Sequence, residues 1–133
     1  MPNTKSGTFG EDIAAAHLEQ HGFRVVARNF RTRFGEIDLI ATDERYLVFV
    51  EVKTRAANAR VSAAEAVTPA KQAKLRMAAE EYLAKHVGAL PSVMSATPNC
   101  VLPHNLHPRF DVICIETAQN GQVAAIRWIE NAF

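Results

Sequence analysis

Cysteine is scarce. Cys100 and Cys114 are the only two in the chain, too few for a disulfide framework. A chain of 133 residues can bury a sizeable core without such staples. Long apolar runs are also missing, so no segment reads as a bilayer-spanning helix. The opening stretch from Met1 to Gly7 lacks the apolar centre of a secretory signal. The expected location is therefore the cytoplasm, without membrane attachment. There are no internal repeats and no low-complexity tracts. An excess of one charge sign is missing too, because the formal net charge is +1. Overall charge thus gives no sign of a nucleic-acid binder. What remains is ordinary for one globular domain over residues 1–133, with 48% hydrophobic and 22% charged residues.

Charge distribution says more than the total. Residues 1–21 carry net −2, residues 22–76 carry +5 and residues 77–133 carry −2. A basic centre suits a phosphate-backbone partner, since each neutralised phosphate releases a counterion. The plain alternative is chance clustering of surface charge.

Residues 7–21 predict a first helix. Phe9, Ile13 and Ala16 form its apolar stripe, widened by Ala14 and Leu18, and Gly22 is the stop just past its end. Glu11 lies beside that stripe rather than opposite it. Strands are expected over 23–30, 36–41 and 46–54, the last two joined by a short polar connection, Thr42-Asp43-Glu44-Arg45. The third is apolar on both faces up to Val50, as in a strand covered on both sides. A polar loop over 55–61 and a capping box at Ser62–Glu65 follow. Thr68-Pro69 then starts a helix running to about residue 86, which buries Leu75, Ala78, Ala79, Tyr82 and Leu83. Residues 87–108 contain Pro91, Pro98, Pro103 and Pro108, so an irregular excursion is expected there. Strands over 110–116 and 123–129 complete the chain. A long crossover helix after a three-strand meander favours a mixed sheet with helices packed on it.

Side chains on a strand alternate faces. Glu36 and Asp38 therefore share one face of the second strand, and Glu51 and Lys53 share one face of the third. A tight hairpin would bring Asp38 near Glu51. Two close carboxylates repel unless a cation joins them. Mg²⁺ does so with oxygen ligands while keeping several waters, and it activates water toward a phosphate. Lys53, one step further along the same face, is placed to position that water or to stabilise charge on the phosphorane. The competing reading is a cross-strand ladder of surface charges. Arg31, Arg33, Arg55, Lys71 and Lys74 flank these residues as candidate phosphate contacts, with a merely solvated surface as the alternative. Cys100, His104 and His107 number only three and sit in an irregular stretch, which argues against structural zinc. Cys114 and Trp128 read as core.

The runs Gly35-Glu36-Ile37-Asp38-Leu39-Ile40-Ala41 and Phe49-Val50-Glu51-Val52-Lys53-Thr54-Arg55 resemble the active-site pattern of the PD-(D/E)XK nuclease superfamily. The chain is most similar to its YraN-like bacterial family, which resembles archaeal Holliday junction resolvases. Gly10-Glu11, Gly22-Phe23, Arg28-Asn29-Phe30-Arg31, Thr68-Pro69 with Lys71, Arg109-Phe110-Asp111-Val112 and the ending Trp128–Phe133 match as well. The resemblance spans nearly the whole chain except roughly residues 88–107. It implies a restriction-endonuclease-like α/β fold, a mixed sheet of about five strands flanked by helices. It also implies Asp38 and Glu51 as metal carboxylates for Mg²⁺ or Mn²⁺, Lys53 as catalytic lysine and Glu11 as an additional acidic residue. The expected activity is endonucleolytic cleavage of DNA, branched or damaged DNA included, and resolvase-like relatives act as homodimers. A nucleic-acid-binding module without cleavage is the alternative.

Overall fold

The computed structural model describes residues 2–56, 67–86 and 105–133, with side chains from residue 9 onward. The elements are α1 (Pro2–Gln20), β1 (Arg24–Arg31), β2 (Glu36–Thr42), β3 (Tyr46–Ala56), α2 (Pro69–His86), β4 (His107–Thr117) and β5 (Val123–Ile129). The Ser62–Glu65 capping box, most of the expected loop over 55–61 and most of the excursion over 87–108, with Cys100 and His104, lie outside the described residues. No described helix is long and apolar enough to cross a membrane.

The five strands form one sheet in the order β1-β2-β3-β4-β5. The pairs β1/β2, β2/β3 and β4/β5 are antiparallel, whereas β3 and β4 are parallel along their whole length, from Tyr46 opposite His107 to Ala56 opposite Thr117. The mixed α/β fold is the one expected, consistent with a restriction-endonuclease-like core. Parallel neighbours need a crossover connection, and α2 lies within it.

The helices cover opposite faces. On one, α1 packs Ala14, Ala15 and Leu18 against Leu39, Val48, Val50, Ile113 and Ile115. On the other, α2 packs Leu75, Ala78, Ala79 and Tyr82 against Leu47, Phe49, Phe110 and Val112. Alternate residues of β3 thus enter different cores, which is why its apolar run is continuous.

Local chemistry sets the ends. Gly22 adopts φ 89°, the left-handed conformation that costs glycine least. Beside it, Phe23 N–H donates to Leu18 O at 3.0 Å and Gly22 N–H to Glu19 O at 3.2 Å, closing α1 in a Schellman turn. Thr68 Oγ1 accepts from Lys71 N–H at 3.2 Å, capping α2 with Pro69 in its first turn. The Asp43 carboxylate accepts from the Arg45 and Tyr46 N–H groups at 2.8 and 2.7 Å, which tightens the β2–β3 hairpin.

Three expectations are corrected. The α1 stripe keeps the expected Ala14 and Leu18, with Ile13 packed at its edge, and adds Gly10 and Ala15, while Phe9 is 43% exposed and Ala16 is exposed. Small residues win because the helix comes close: a Cβ on Gly10 would stand 2.6 Å from Thr54 Oγ1. Next, β3 continues through Arg55 and Ala56, where a loop was expected, because β4 pairs with it that far. Finally, β4 starts at His107 rather than residue 110 and includes Pro108. His107 N–H bonds to Arg45 O on the β3 side at 2.7 Å, so the next nitrogen points to the other side. There β5 pairs only from Val112 onward, and proline's missing donor leaves no gap in the ladder.

The Arg109–Asp111 pair is structural. Asp111 is fully buried. Its carboxylate accepts from Arg109 Nε and Nη2 at 3.0 and 2.9 Å, from Trp128 Nε1 at 2.8 Å and from Asn131 N–H at 3.0 Å. It therefore ties β4 to β5 and to the chain's last turn. Asp111→Ala is expected to destabilise the protein by about 3–5 kcal/mol, because it leaves the Arg109 charge only the exposed Glu130 carboxylate at 3.7 Å and strands two further donors. Urea denaturation checks this, and a loss under about 1 kcal/mol would show the network to be dispensable.

Candidate active site

The paired part of β2 and β3 runs from Thr42 opposite Leu47 to Leu39 opposite Val50, and ladder pairing stops there. Asp38 is the next residue on one strand and Glu51 on the other. In place of a ladder bond, Val52 N–H donates to Asp38 Oδ2 at 2.8 Å. The carboxylate thus occupies the gap where the strands part.

Strict alternation fails on β2 at this point. Ile37 and Ile40, three apart, both join the α2-side core, while Leu39 joins the α1 side. The strand turns about its own axis at Asp38, so Glu36 and Asp38 are not simply two residues of one flat face. The neighbouring strand is irregular as well. The β1/β2 register shifts between Val25 and Ala27, and Asn29 takes φ 52°, a conformation uncommon outside glycine but tolerated by asparagine.

That irregularity carries chemistry. Asn29 Nδ2 donates to Glu11 Oε1 at 2.8 Å, and Arg28 Nη2 donates to Asp12 Oδ1 at 2.6 Å while standing 3.9 Å from Glu11. Asn29 holds the Glu11 carboxylate at the edge of the acidic cluster. Sequence reading gave it no role, although asparagine inside a strand is itself a sign of special backbone geometry.

Four carboxylates gather here: Glu11 from α1, Glu36 and Asp38 from β2, and Glu51 from β3. Burial and the nearby Glu51 carboxylate push the Asp38 carboxyl up to about 7, with Glu11 and Glu36 adding to the rise and the Val52 N–H opposing it. Burial also raises Glu11; Glu36 and Asp12 act in the same direction, and Arg28 acts against them. Glu51 is only 5% exposed. Its Oε2 lies 3.3 Å from Lys53 Nζ and 3.4 Å from Lys71 Nζ.

The other expected cations are dispersed. Arg31 faces solvent and stands 3.5 Å from Glu36. Arg33 is exposed, its guanidinium 5.0 Å from the Phe34 ring centre. Lys74 is exposed, and its Cβ would be 3.7 Å from a Cβ on Gly35, so the β1–β2 loop lies against α2. Arg55 is half-buried, its Nε without a hydrogen-bond partner among the described residues. Lys71 departs most from expectation, because it bonds a site carboxylate. Trp128 and Cys114 both belong to the cores.

Among the described residues, no group of three His, Cys, Asp or Glu side chains is arranged to hold a metal ion alone. Asp38 and Glu51 supply a pair of carboxylates. That donor set fits Mg²⁺ or Mn²⁺, which complete their shell with water and phosphate oxygens. It does not fit structural zinc.

A family model described as "Uncharacterised protein family UPF0102" matches residues 10–115. A UPF0102 protein of Dichelobacter nodosus (strain VCS1703A) is 43% identical over 131 residues, covering 98% of this chain and 90% of its own. One of Symbiobacterium thermophilum is 45% identical over 127 residues, covering 96% of this chain and 94% of its own. Among solved structures, Pyrococcus furiosus SfsA in complex with Ca²⁺ aligns with TM-score 0.34 and 16% identity. That alignment covers 97% of this chain and 63% of the SfsA chain.

Proposed function

Because the chain belongs to the uncharacterised protein family UPF0102, whose name states no chemistry, we propose its function from the site: a divalent-metal-dependent endonuclease acting on DNA, branched or damaged DNA included. The observation that carries this reading is geometric: Asp38 and Glu51 are the facing residues just past the last β2/β3 pair, with Val52 N–H holding Asp38 at 2.8 Å and Lys53 Nζ 3.3 Å from Glu51. A divalent cation between two neighbouring carboxylates relieves their mutual repulsion.

Asp38 and Glu51 would hold the metal, which supplies Lewis-acid polarisation of the phosphoryl oxygen and a more acidic water. The protein's own groups do the rest. Lys53 stabilises negative charge that develops on the phosphorane oxygens. Val52 N–H fixes the orientation of Asp38, and Asn29 fixes that of Glu11. Arg33 and Lys74, both exposed, engage the flanking phosphates. A homodimer acting on a two-fold-symmetric junction is part of the same proposal.

One observation favours a second reading, a nucleic-acid-binding module without cleavage. Lys53 and Lys71 together satisfy the Glu51 charge without any metal. Branched and linear DNA incubated with Mg²⁺, with Mn²⁺ and with EDTA separates the two, alongside calorimetric metal titration. Metal-dependent cleavage of at least one substrate is expected. DNA binding without cleavage, and without detectable metal, would leave the binding module standing.

A further inference from the structure

We propose that Lys71 is the resident counter-cation of Glu51, one that a divalent metal must displace to reach the carboxylate, and that displaced Lys71 then engages the phosphate backbone. The inference rests on the metal-site reading above.

Both ammonium groups use the same oxygen. Lys53 Nζ is 3.3 Å from Glu51 Oε2 and Lys71 Nζ is 3.4 Å from it. A carboxylate only 6% exposed at its side chain needs a partner for its charge. Two cations on one oxygen repel each other, so the arrangement persists only while that oxygen is available. A divalent ion taking the same carboxylate raises the repulsion further, and release of one ammonium relieves it.

The backbone decides which one leaves. Lys53 stands two residues from Glu51 on β3, where the pleat keeps both on one face and β4 pairs through the whole segment. Its side chain is 26% exposed. Lys71 reaches in from the first turns of α2, with a flexible four-carbon stem and 43% side-chain exposure. Its backbone is pinned by the Thr68 cap, so its side chain can swing while the helix stays in place. Lys74, one turn further along α2, is already exposed. A released Lys71 joins it on the wall that a phosphate backbone would follow.

Metal and nucleic acid are therefore coupled through one side chain. Without metal, Lys71 is tied to Glu51 and is lost to the phosphates. With metal it is freed, and by linkage DNA tightens metal binding to the same degree.

The test needs no cleavage. Mn²⁺ is titrated into the full chain without DNA, and free Mn²⁺ is followed by electron paramagnetic resonance. Lys71→Met, which keeps the apolar stem, is expected to bind Mn²⁺ about fivefold or more tightly than wild type, the scale of a coupling between two ligands of one group. Lys71→Arg, which keeps the charge, and Lys74→Met, which removes a neighbouring one, should stay within about twofold of wild type on the same scale. A DNA arm with Ca²⁺ adds a second readout. The slope of log affinity against log salt should be steeper in wild type than in Lys71→Met by about 0.9, one phosphate contact, with Ca²⁺ and not without it. Equal or weaker Mn²⁺ binding by Lys71→Met overturns the inference and leaves the metal site standing. An equal gain from Lys74→Met overturns it too, since net charge would then explain the effect. Absence of Mn²⁺ binding in every variant overturns both readings.

Discussion

Lys53→Ala is expected to lower the rate of phosphodiester cleavage by about two to three orders of magnitude, the usual loss when one preorganised donor to a developing oxyanion is removed. Metal affinity should be undiminished, because an ammonium has no lone pair to offer a cation. Asp38→Asn should lose both cleavage and metal, because it replaces one anionic ligand with a neutral amide. The asparagine is preferable to alanine here. Its Oδ1 can still accept the Val52 N–H, whereas alanine would leave that donor without its partner at a cost of about 1–3 kcal/mol. Cleavage of a labelled duplex and calorimetric Mg²⁺ titration, run on the same preparations, separate the effects. If Lys53→Ala lost metal binding along with cleavage, its role would be to position Glu51, and the assignment of Lys53 to the phosphorane would fall.

The second large effect is on stability. The Asp38 carboxyl ionises at about 7 in the folded protein, against 3.8 for the free group. Between these values the folded state holds a proton that the unfolded state has released. Stability is therefore lost as pH rises from about 4 to 7, and the loss is complete above pH 7. Asparagine never ionises. Asp38→Asn should match wild type near pH 4 and exceed it at pH 8, by about 1–3 kcal/mol and by no more than about 4. Urea denaturation at pH 4.5, 6 and 8 reads the difference, which should shrink when Mg²⁺ stabilises the wild type alone. A gap that did not change with pH would mean that the charge at Asp38 is not what destabilises the fold. A gap that grows with pH as expected means that wild type carries a functional carboxylate at some cost to its stability, as active sites often do.

The first helix, the hairpin at Asp43 and the capped helix after Thr68 were all legible in advance, because each is governed by residues close in sequence. Periodicity, turn chemistry and caps report on such neighbours directly. The buried arc of α1 was legible only in part. Apolar spacing points to Ile13, Ala14 and Leu18, which do meet the α1-side core, but also to Phe9 and Ala16, whereas the closeness of the helix to β3 selects Gly10 and Ala15 in their place. The early start of β4 was hidden by Pro108, a residue that normally argues against a central strand. It fits because β5 begins its pairing four residues later, at Val112.

The site divides the same way. Glu51 and Lys53 are two residues apart on one strand, so the pleat alone puts them on one face, and the sequence was sufficient to pair them. Their nearness to Asp38 depends on a short hairpin, which the sequence also announces. The turn of β2 at Asp38, the hold of Asn29 on Glu11 and the reach of Lys71 into Glu51 each join residues far apart in the chain, 18 positions for Asn29 and Glu11. No local pattern encodes such distances. They follow from two helices lying on opposite faces of a sheet whose strands part at the site, so only the tertiary structure decides which carboxylate each cation and each amide will meet.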